Sequence, residues 1–224
     1  MEKVRELWLW MDPERRSGPE AMAVDEWLLE TVENPVLRVY GWAGDWASLG
    51  YFGQIEPARA AIPAVNWVRR WTGGGMVDHR SDWTYSLILP RSEPLAQARG
   101  AGSYRAIHDG LRQALAVEGV DGQLSAGEDE TGDVLCFQNP VCHDLIGKGA
   151  GKLAGAGQRR SRSGLLHQGS VAVACDAAGS RARAARLCAA LSAGWHETGF
   201  QPDRDWVASL VQRRYGNRQW QSRR

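Results

Sequence analysis

Cys136 and Lys152 lie sixteen residues apart across a glycine-dense turn, Gly147-Lys148-Gly149-Ala150-Gly151. A cysteine can serve as a nucleophile and a lysine as a positive charge beside it. A thiolate is a strong nucleophile, and a free thiol with a pKa of about 8.5 needs a nearby positive charge to ionise at neutral pH. An ammonium is a compact point charge with movable protons, which a planar guanidinium is not. The chain has 27 lysines plus arginines, but only Lys3, Lys148 and Lys152 are lysines. A chain that otherwise uses arginine thus keeps two lysines in one turn. Lys148 reads as decoration on an exposed turn. Lys152, between Gly151 and the apolar pair Leu153-Ala154, reads either as a buried charge or as surface. Cys136 reads either as a nucleophile or as a small core residue. Cys142, Cys175 and Cys188 read as core thiols.

A second cluster is Thr72-Gly73-Gly74-Gly75, placed after an expected strand at Val65–Arg70 and followed by His79. Three glycines permit positive φ and close approach of the backbone to a ligand. The spacing matches neither a dinucleotide fingerprint nor a phosphate-binding P-loop, so on its own it is equally a flexible turn. His79 reads as structural or chemical. His167, at the head of Gln168-Gly169-Ser170, reads as the residue that positions its strand. His143 stands beside Asp144 without an assignable partner.

These groups must be carried by a fold that the periodicities outline. Strands are expected at residues 5–10, Val36–Tyr40, Ala47–Tyr51, Val65–Arg70, Tyr85–Leu89, Val141–Ile146, Lys152–Gln158 and His167–Cys175. Ser17-Gly18-Pro19-Glu20 is a capping-box pattern opening a helix to about Glu33, ended by Asn34-Pro35. A short helix is expected at Pro57–Ile62, and another capped by Ser103 with Tyr104, Ile107, Leu111 and Leu115 on one face. Glu118–Thr131 reads as an acidic loop, residues 180–199 as a helix with Gly199 as its C-cap, and Asp203–Arg214 as a last helix. Strands clustered without a regular βαβ rhythm predict an α+β fold with a mixed, mostly antiparallel sheet flanked by helices. The length of 224 residues suits a single domain, residues 1–224, with a core at about 5–176 and C-terminal helices over 177–224.

Composition excludes several functions. A net charge of +1 and a pI of about 7.7 give no field for nucleic acid or a membrane surface. No cysteine pair has a CxxC spacing, so no metal site is expected. Glu2, Lys3, Arg5 and Glu6 precede any apolar run, and no stretch approaches the roughly 18 apolar residues that span a bilayer. A cytoplasmic protein with reduced thiols is expected.

Five stretches in order give the chain a resemblance. They are Met22-Ala23-Val24-Asp25-Glu26, Leu37-Arg38-Val39-Tyr40-Gly41-Trp42 with Ser48-Leu49-Gly50-Tyr51-Phe52, Arg69-Arg70-Trp71-Thr72-Gly73-Gly74-Gly75 with His79, Lys152-Leu153-Ala154-Gly155, and His167-Gln168-Gly169-Ser170. Together they resemble the biotin/lipoate protein ligase superfamily, in its lipoate-ligase and octanoyltransferase branch. Cys136-Phe137 with Pro140 is similar to the Cys-Phe-x-x-Pro motif of octanoyltransferases that carry their cysteine on this strand, and Asp82-Trp83-Thr84-Tyr85-Ser86 is also closer to that branch. Two departures run the other way. Gly75, where that branch often has arginine, is ligase-like, and the turn between Cys136 and Lys152 is one residue longer than usual.

The resemblance implies Cys136 and Lys152 as catalytic residues, with Arg70, Thr72, Gly73, Gly74, Gly75, His79, Gly155 and His167 around the substrate. In the octanoyltransferase reading, octanoyl moves from acyl carrier protein to Cys136 as a thioester, then to a lysine of a lipoyl-domain protein. That acceptor would be the glycine cleavage H protein or the E2 of a 2-oxoacid dehydrogenase. Lys152, or His79, would accept the attacking amine's proton, and no cofactor is needed. In the alternative, an ATP- and Mg²⁺-dependent lipoate ligase, Arg70 and the glycine loop face an adenylate phosphate and Cys136 is pocket wall. A third possibility is a non-catalytic member that binds a lipoyl protein. Only 48 residues follow Asp176, which leaves little room for the extra C-terminal domain of many lipoate ligases. Biotin ligation fits the lysine motif and the Cys-Phe element less well.

Overall fold

Alternating apolar residues fix which way each strand faces. A computed structural model describes residues 3–98, 101–127, 141–148 and 151–223. In strand β6 (Trp83–Pro90), Tyr85, Leu87 and Leu89 point to one side of the sheet and Thr84, Ser86 and Ile88 to the other, as the two-residue period requires. The chain runs β1 (Val4–Met11), α1 (Gly18–Thr31), β2 (Val36–Tyr40), β3 (Trp46–Leu49), α2 (Ile55–Ala61), β4 (Asn66–Arg69) and β5 (Met76–Asp78), then β6. It continues through α3 (Pro94–Gln97), α4 (Gly102–Ala116), β7 (Gly122–Leu124), β8 (Leu145–Gly147), β9 (Gly151–Arg160), β10 (Gly164–Val171), α5 (Ala177–Leu191), β11 (Ser192–Glu197), α6 (Arg204–Leu210) and α7 (Arg218–Gln221).

Eight strands form one sheet in the order β11-β1-β2-β6-β10-β9-β8-β7; three more form a small sheet, β4-β3-β5. In the large sheet β1 is parallel to both β11 and β2, and the remaining pairs are antiparallel. The architecture is therefore the expected α+β one with a mixed, mostly antiparallel sheet. Helices α4 and α5 cover one face, packing Ile107, Leu111, Leu187 and Leu191 on Leu7, Leu37 and Leu87. Helices α1 and α6 cover the other, with Met22, Leu28 and Leu210 against Val36, Ile88 and Leu166. Each fully buried leucine removes enough apolar surface from water to contribute about 2 kcal/mol.

The capping box forms as expected, with Glu20 accepting from the Ser17 backbone N–H at 3.1 Å. Other expectations change. Helix α4 starts at Gly102, and Ser103 lies inside its first turn and donates to Gln158 at 3.1 Å instead of capping. The helix expected over 180–199 stops at Leu191, and the chain turns into β11, an edge strand beside β1. The open hydrogen-bonding edge of β1 outweighs local helix preference there. The segment 177–224 therefore adds a strand to the sheet as well as helices. Residues 122–124, expected as loop, pair with β8, and that strand begins at Leu145 and not at Val141. Helix α6 ends at Leu210 and passes into a π-turn, Val211–Tyr215.

Candidate active site

The recurring motifs converge where the small sheet meets β9 and β10, and buried polar contacts join them. Asp25 of α1 accepts from Arg38 Nη1 at 2.7 Å, from Ser86 at 2.6 Å and from Gln168 Nε2 at 2.7 Å. Gln168 Oε1 in turn accepts from Thr72 Oγ1 at 2.7 Å. Arg38 also pairs with Asp12 at 2.8 Å, and all three charged side chains are fully buried. Burial alone would lower the Arg38 pKa, but Asp25 and Asp12 beside it raise it, so the guanidinium stays charged. This network pins Thr72, the first residue of the glycine loop, to helix α1 and strand β10.

The loop is wedged between two backbones. A Cβ on Gly50 would lie 1.8 Å from the Gly74 carbonyl oxygen, and one on Gly157 would lie 2.3 Å from that of Gly73; Gly74 itself has φ +92°. Any side chain at Gly50 or Gly157 would force the layers apart. Arg70 folds back into its own loop, donating to Gly73 O at 3.1 Å, Gly75 O at 2.9 Å and Ser48 Oγ at 2.5 Å. The guanidinium thus braces the loop.

Lys152, at the start of β9, is buried, and its Nζ lies 2.6 Å from Asp144 Oδ2; the side chains are 2% and 0% exposed. Asp144 also accepts from Tyr104 Oη at 2.5 Å and from the Val141 N–H at 2.8 Å. A charge in such a setting is tolerable only when paired and hydrogen-bonded. The three-residue spacing of Lys152-Leu153-Ala154-Gly155 now has a cause. A Cβ at Gly155 would lie 2.4 Å from Lys152 Cε and 2.6 Å from Nζ, so the lysine keeps this position only over a residue without a side chain.

Gly155 lines a small cavity, about 20 Å³, together with Ala156, Gly157, Arg70, Ser48, His79, Trp42, Gln168 and Ser170. That is room for about one water. A larger cavity, about 550 Å³, lies elsewhere, between α3, α4 and β7, and is lined by Leu95, Ala106 and Leu124. No residue of the five motifs reaches it.

Of the residues singled out in the sequence, Arg70, His79 and Gly155 line the small cavity, and Thr72 and the Gly73–Gly75 loop pack beside it. His167 does not line it. Its side chain is fully buried on the α4 face, 3.1 Å from both Tyr85 Oη and Gln158 Nε2, and burial holds its pKa well below the ordinary value. Its place is in the packing behind the site. Cys136, with Phe137 and Pro140, lies outside the described residues. Among the described residues no group of three His, Cys, Asp or Glu side chains stands together as for a metal, and no helix is long and apolar enough to cross a membrane.

Sequence reasoning passes over Asp144, Tyr104, Ser48 and Asp82. A lysine retained in an arginine-rich chain is a signal that a carboxylate partner exists, but not which one. Ser48 and Asp82 stand inside the quoted motifs without an assigned task.

The lipoyl protein ligase A/B catalytic-domain family matches residues 17–211, and the chain belongs to it. Within that class, the chain is 31% identical over 189 residues to octanoyltransferase LipM of Macrococcus caseolyticus, covering 77% of this chain and 68% of the relative. It is 34% identical over 181 residues to LipM of Carboxydothermus hydrogenoformans, covering 76% and 66%. With LipM of Bacillus subtilis the figures are 32% over 188 residues, 77% and 67%. The chain thus spans about two-thirds of the length of these relatives. Among solved structures it is similar to a lipoate-protein ligase A bound with ATP, with a TM-score of 0.74, 18% identity and 99% of each chain covered. It is also similar to a bi-partite lipoate protein ligase from Thermoplasma acidophilum, with a TM-score of 0.72, 15% identity, and 99% and 97% covered. At these identities the structures share the fold.

Proposed function

We propose that this chain is an octanoyltransferase of protein lipoylation. It takes an octanoyl group from acyl carrier protein onto Cys136 and passes it to the lysine of a lipoyl-domain protein. The curated relatives at about a third identity are named octanoyltransferases, and Cys136-Phe137 with Pro140 is similar to the cysteine motif of such enzymes. The observation that carries the reading is the buried Lys152–Asp144 pair folded over Gly155. It holds an ammonium, oriented and dry, over Gly155, which itself lines the small cavity.

In the first half-reaction the Cys136 thiolate attacks the thioester carbonyl of the donor. A new C–S bond forms, the bond to the carrier's sulfur breaks, and the carrier leaves as a thiolate that takes up the proton Cys136 released on ionising. The Lys152 ammonium favours the thiolate and, with backbone N–H groups, the oxyanion that develops. In the second half-reaction the acceptor lysine attacks the Cys136 thioester, forming the amide and freeing the thiol. The donor is already activated, so the reading calls for neither ATP nor Mg²⁺. The substrate-side roles of Arg70, Thr72, Gly73, Gly74, Gly75 and His79 are to shape and brace the cavity.

The test is intact-mass analysis after mixing with octanoyl carrier protein and no ATP. The expected result is one octanoyl group added, labile to hydroxylamine and absent in Cys136→Ser. Transfer that occurs only with free lipoate, ATP and Mg²⁺, and persists in Cys136→Ala, would establish the ligase reading instead. No transfer under either condition would indicate a non-catalytic member.

A further inference from the structure

Ser48, His79 and Asp82 stand in a chain on the wall of the small cavity. The Ser48 Oγ to His79 Nε2 distance is 2.6 Å, and His79 Nδ1 to Asp82 Oδ2 is 2.8 Å. Ser48 is fully buried, and both it and His79 line the cavity with Gly155. The proton positions follow from the partners. Arg70 Nη1 donates to Ser48 Oγ at 2.5 Å, so the serine's own hydrogen points to His79 Nε2. With Nε2 accepting, the neutral ring carries its proton on Nδ1 and donates to Asp82. Asp82 is held by Ser170 Oγ at 2.5 Å and by Thr84 Oγ1 at 3.0 Å. The imidazole lies flat on Trp42, with ring centroids 4.2 Å apart. Every hydrogen bond therefore points one way, from a cavity-wall hydroxyl to a buried carboxylate. This is the order of a serine-hydrolase triad.

We propose that Ser48, His79 and Asp82 form a proton relay for the second half-reaction; this rests on the thioester reading above. Lys152 is ion-paired as an ammonium with Asp144 and has donors only, so a separate acceptor is required. Arg70 occupies the serine oxygen, which makes Ser48 a proton carrier and leaves the substrate amine as the nucleophile. The neutral acceptor amine forms a C–N bond to the thioester carbonyl carbon. Its N–H proton passes to Ser48 Oγ while the serine's proton moves to His79 Nε2, and Asp82 stabilises the imidazolium. As the C–S bond breaks, the relay runs backward and delivers the proton to the departing Cys136 sulfur. Thioester and amine become amide and thiol with no net proton change.

Single-turnover kinetics separate the two steps: acyl-enzyme formation from octanoyl carrier protein, then octanoyl transfer to a lipoyl domain. Ser48→Ala and Asp82→Asn should form the acyl-enzyme within about 3-fold of the parent rate and transfer about 10²-fold more slowly or worse. Asp82→Glu should restore most of the transfer rate. Thermal melts check folding, and Ser48→Ala, which removes one hydroxyl, carries the test if Asp82→Asn does not fold. Unchanged transfer, or both steps slowed by the same factor, would overturn the relay. An unmodified chain that never forms the thioester would instead overturn the octanoyltransferase reading, and the relay with it.

Discussion

The two ends of the β8–β9 hairpin carry the same ion pair in opposite surroundings. At the tip, Lys148 and Asp121 stand 2.6 Å apart with side chains 72% and 68% exposed; at the root, Lys152 and Asp144 stand 2.6 Å apart at 2% and 0%. Distance alone does not distinguish them. At the tip, water and salt screen both charges, and the Asp121 hydrogen bond raises the Lys148 pKa without doing structural work. At the root neither charge can exchange its partner for water. The aspartate is also held by Tyr104 and by a backbone N–H, and the lysine lies over a glycine on the cavity wall. An identical contact is thus screened by solvent in one place and sealed from it in the other, and burial makes the difference.

The largest expected effect breaks that contrast directly. Lys152→Ala should reduce octanoyl transfer by about 10³-fold, and Lys152→Arg should fail too, because a guanidinium cannot reproduce a point charge. Lys148→Ala and Lys148→Arg should transfer at the parent rate. Denaturant titration should give the same ranking. Lys152→Met strands a buried carboxylate and should cost about 3–5 kcal/mol, while Lys148→Met should leave the midpoint in place. Equal losses at both lysines would mean the hairpin matters only as a hairpin.

A smaller effect separates the two glycines that flank this contrast. Gly155→Ala should push Lys152 off Asp144 and slow acyl-enzyme formation about 10-fold or more, with a stability cost of about 1–3 kcal/mol. Gly151 has φ +72° and open space around its Cβ position. Gly151→Ala should therefore cost about 1–2 kcal/mol of backbone strain and keep its rate. Parent-like kinetics in Gly155→Ala would show that the lysine's position is not critical.

The smallest effect concerns His108, packed under the root. Burial pushes its pKa down to about 4 from 6.5, against the opposing pull of Asp144, while its Nδ1 donates to His143 O at 2.6 Å. The folded value lies below the unfolded one, so the unfolded chain binds more protons in between. Stability should be full above about pH 6.5 and fall as pH drops toward 4, by up to about 1.4 kcal/mol per pH unit. His108→Asn can keep the bond to His143 O and should flatten that slope in urea titrations at pH 7 and pH 5. A slope unchanged by the substitution would assign the acid sensitivity to His167 or to carboxylates.

Much of this molecule is legible in its sequence. The two-residue alternation of β6, the capping box of α1 and the Asn34-Pro35 stop are local signals, set by neighbours in the chain. The end of α5 is not legible, since Ser192–Glu197 becomes a strand only because β1 has a free edge to pair with. At the site, the glycine loop, Lys152 and His79 stand out by residue type and motif. Asp144, Ser48 and Asp82 do not, because an acidic residue or a serine is common and only its partner gives it meaning.

The order of motifs, the class of fold and the family can be read along the chain, since they depend on periodicity and on residue types at fixed spacing. The electrostatics come from the assembled fold. Thr72 meets Gln168 across 96 residues, Ser48 meets His79 across 31, and Arg38 meets Asp25 across 13. Those partners, and the burial that makes each pairing matter, depend on strand register and sheet order. Neither is a local property of the chain, so the direction of the proton chain and the difference between Lys148 and Lys152 appear only when the sheet is assembled.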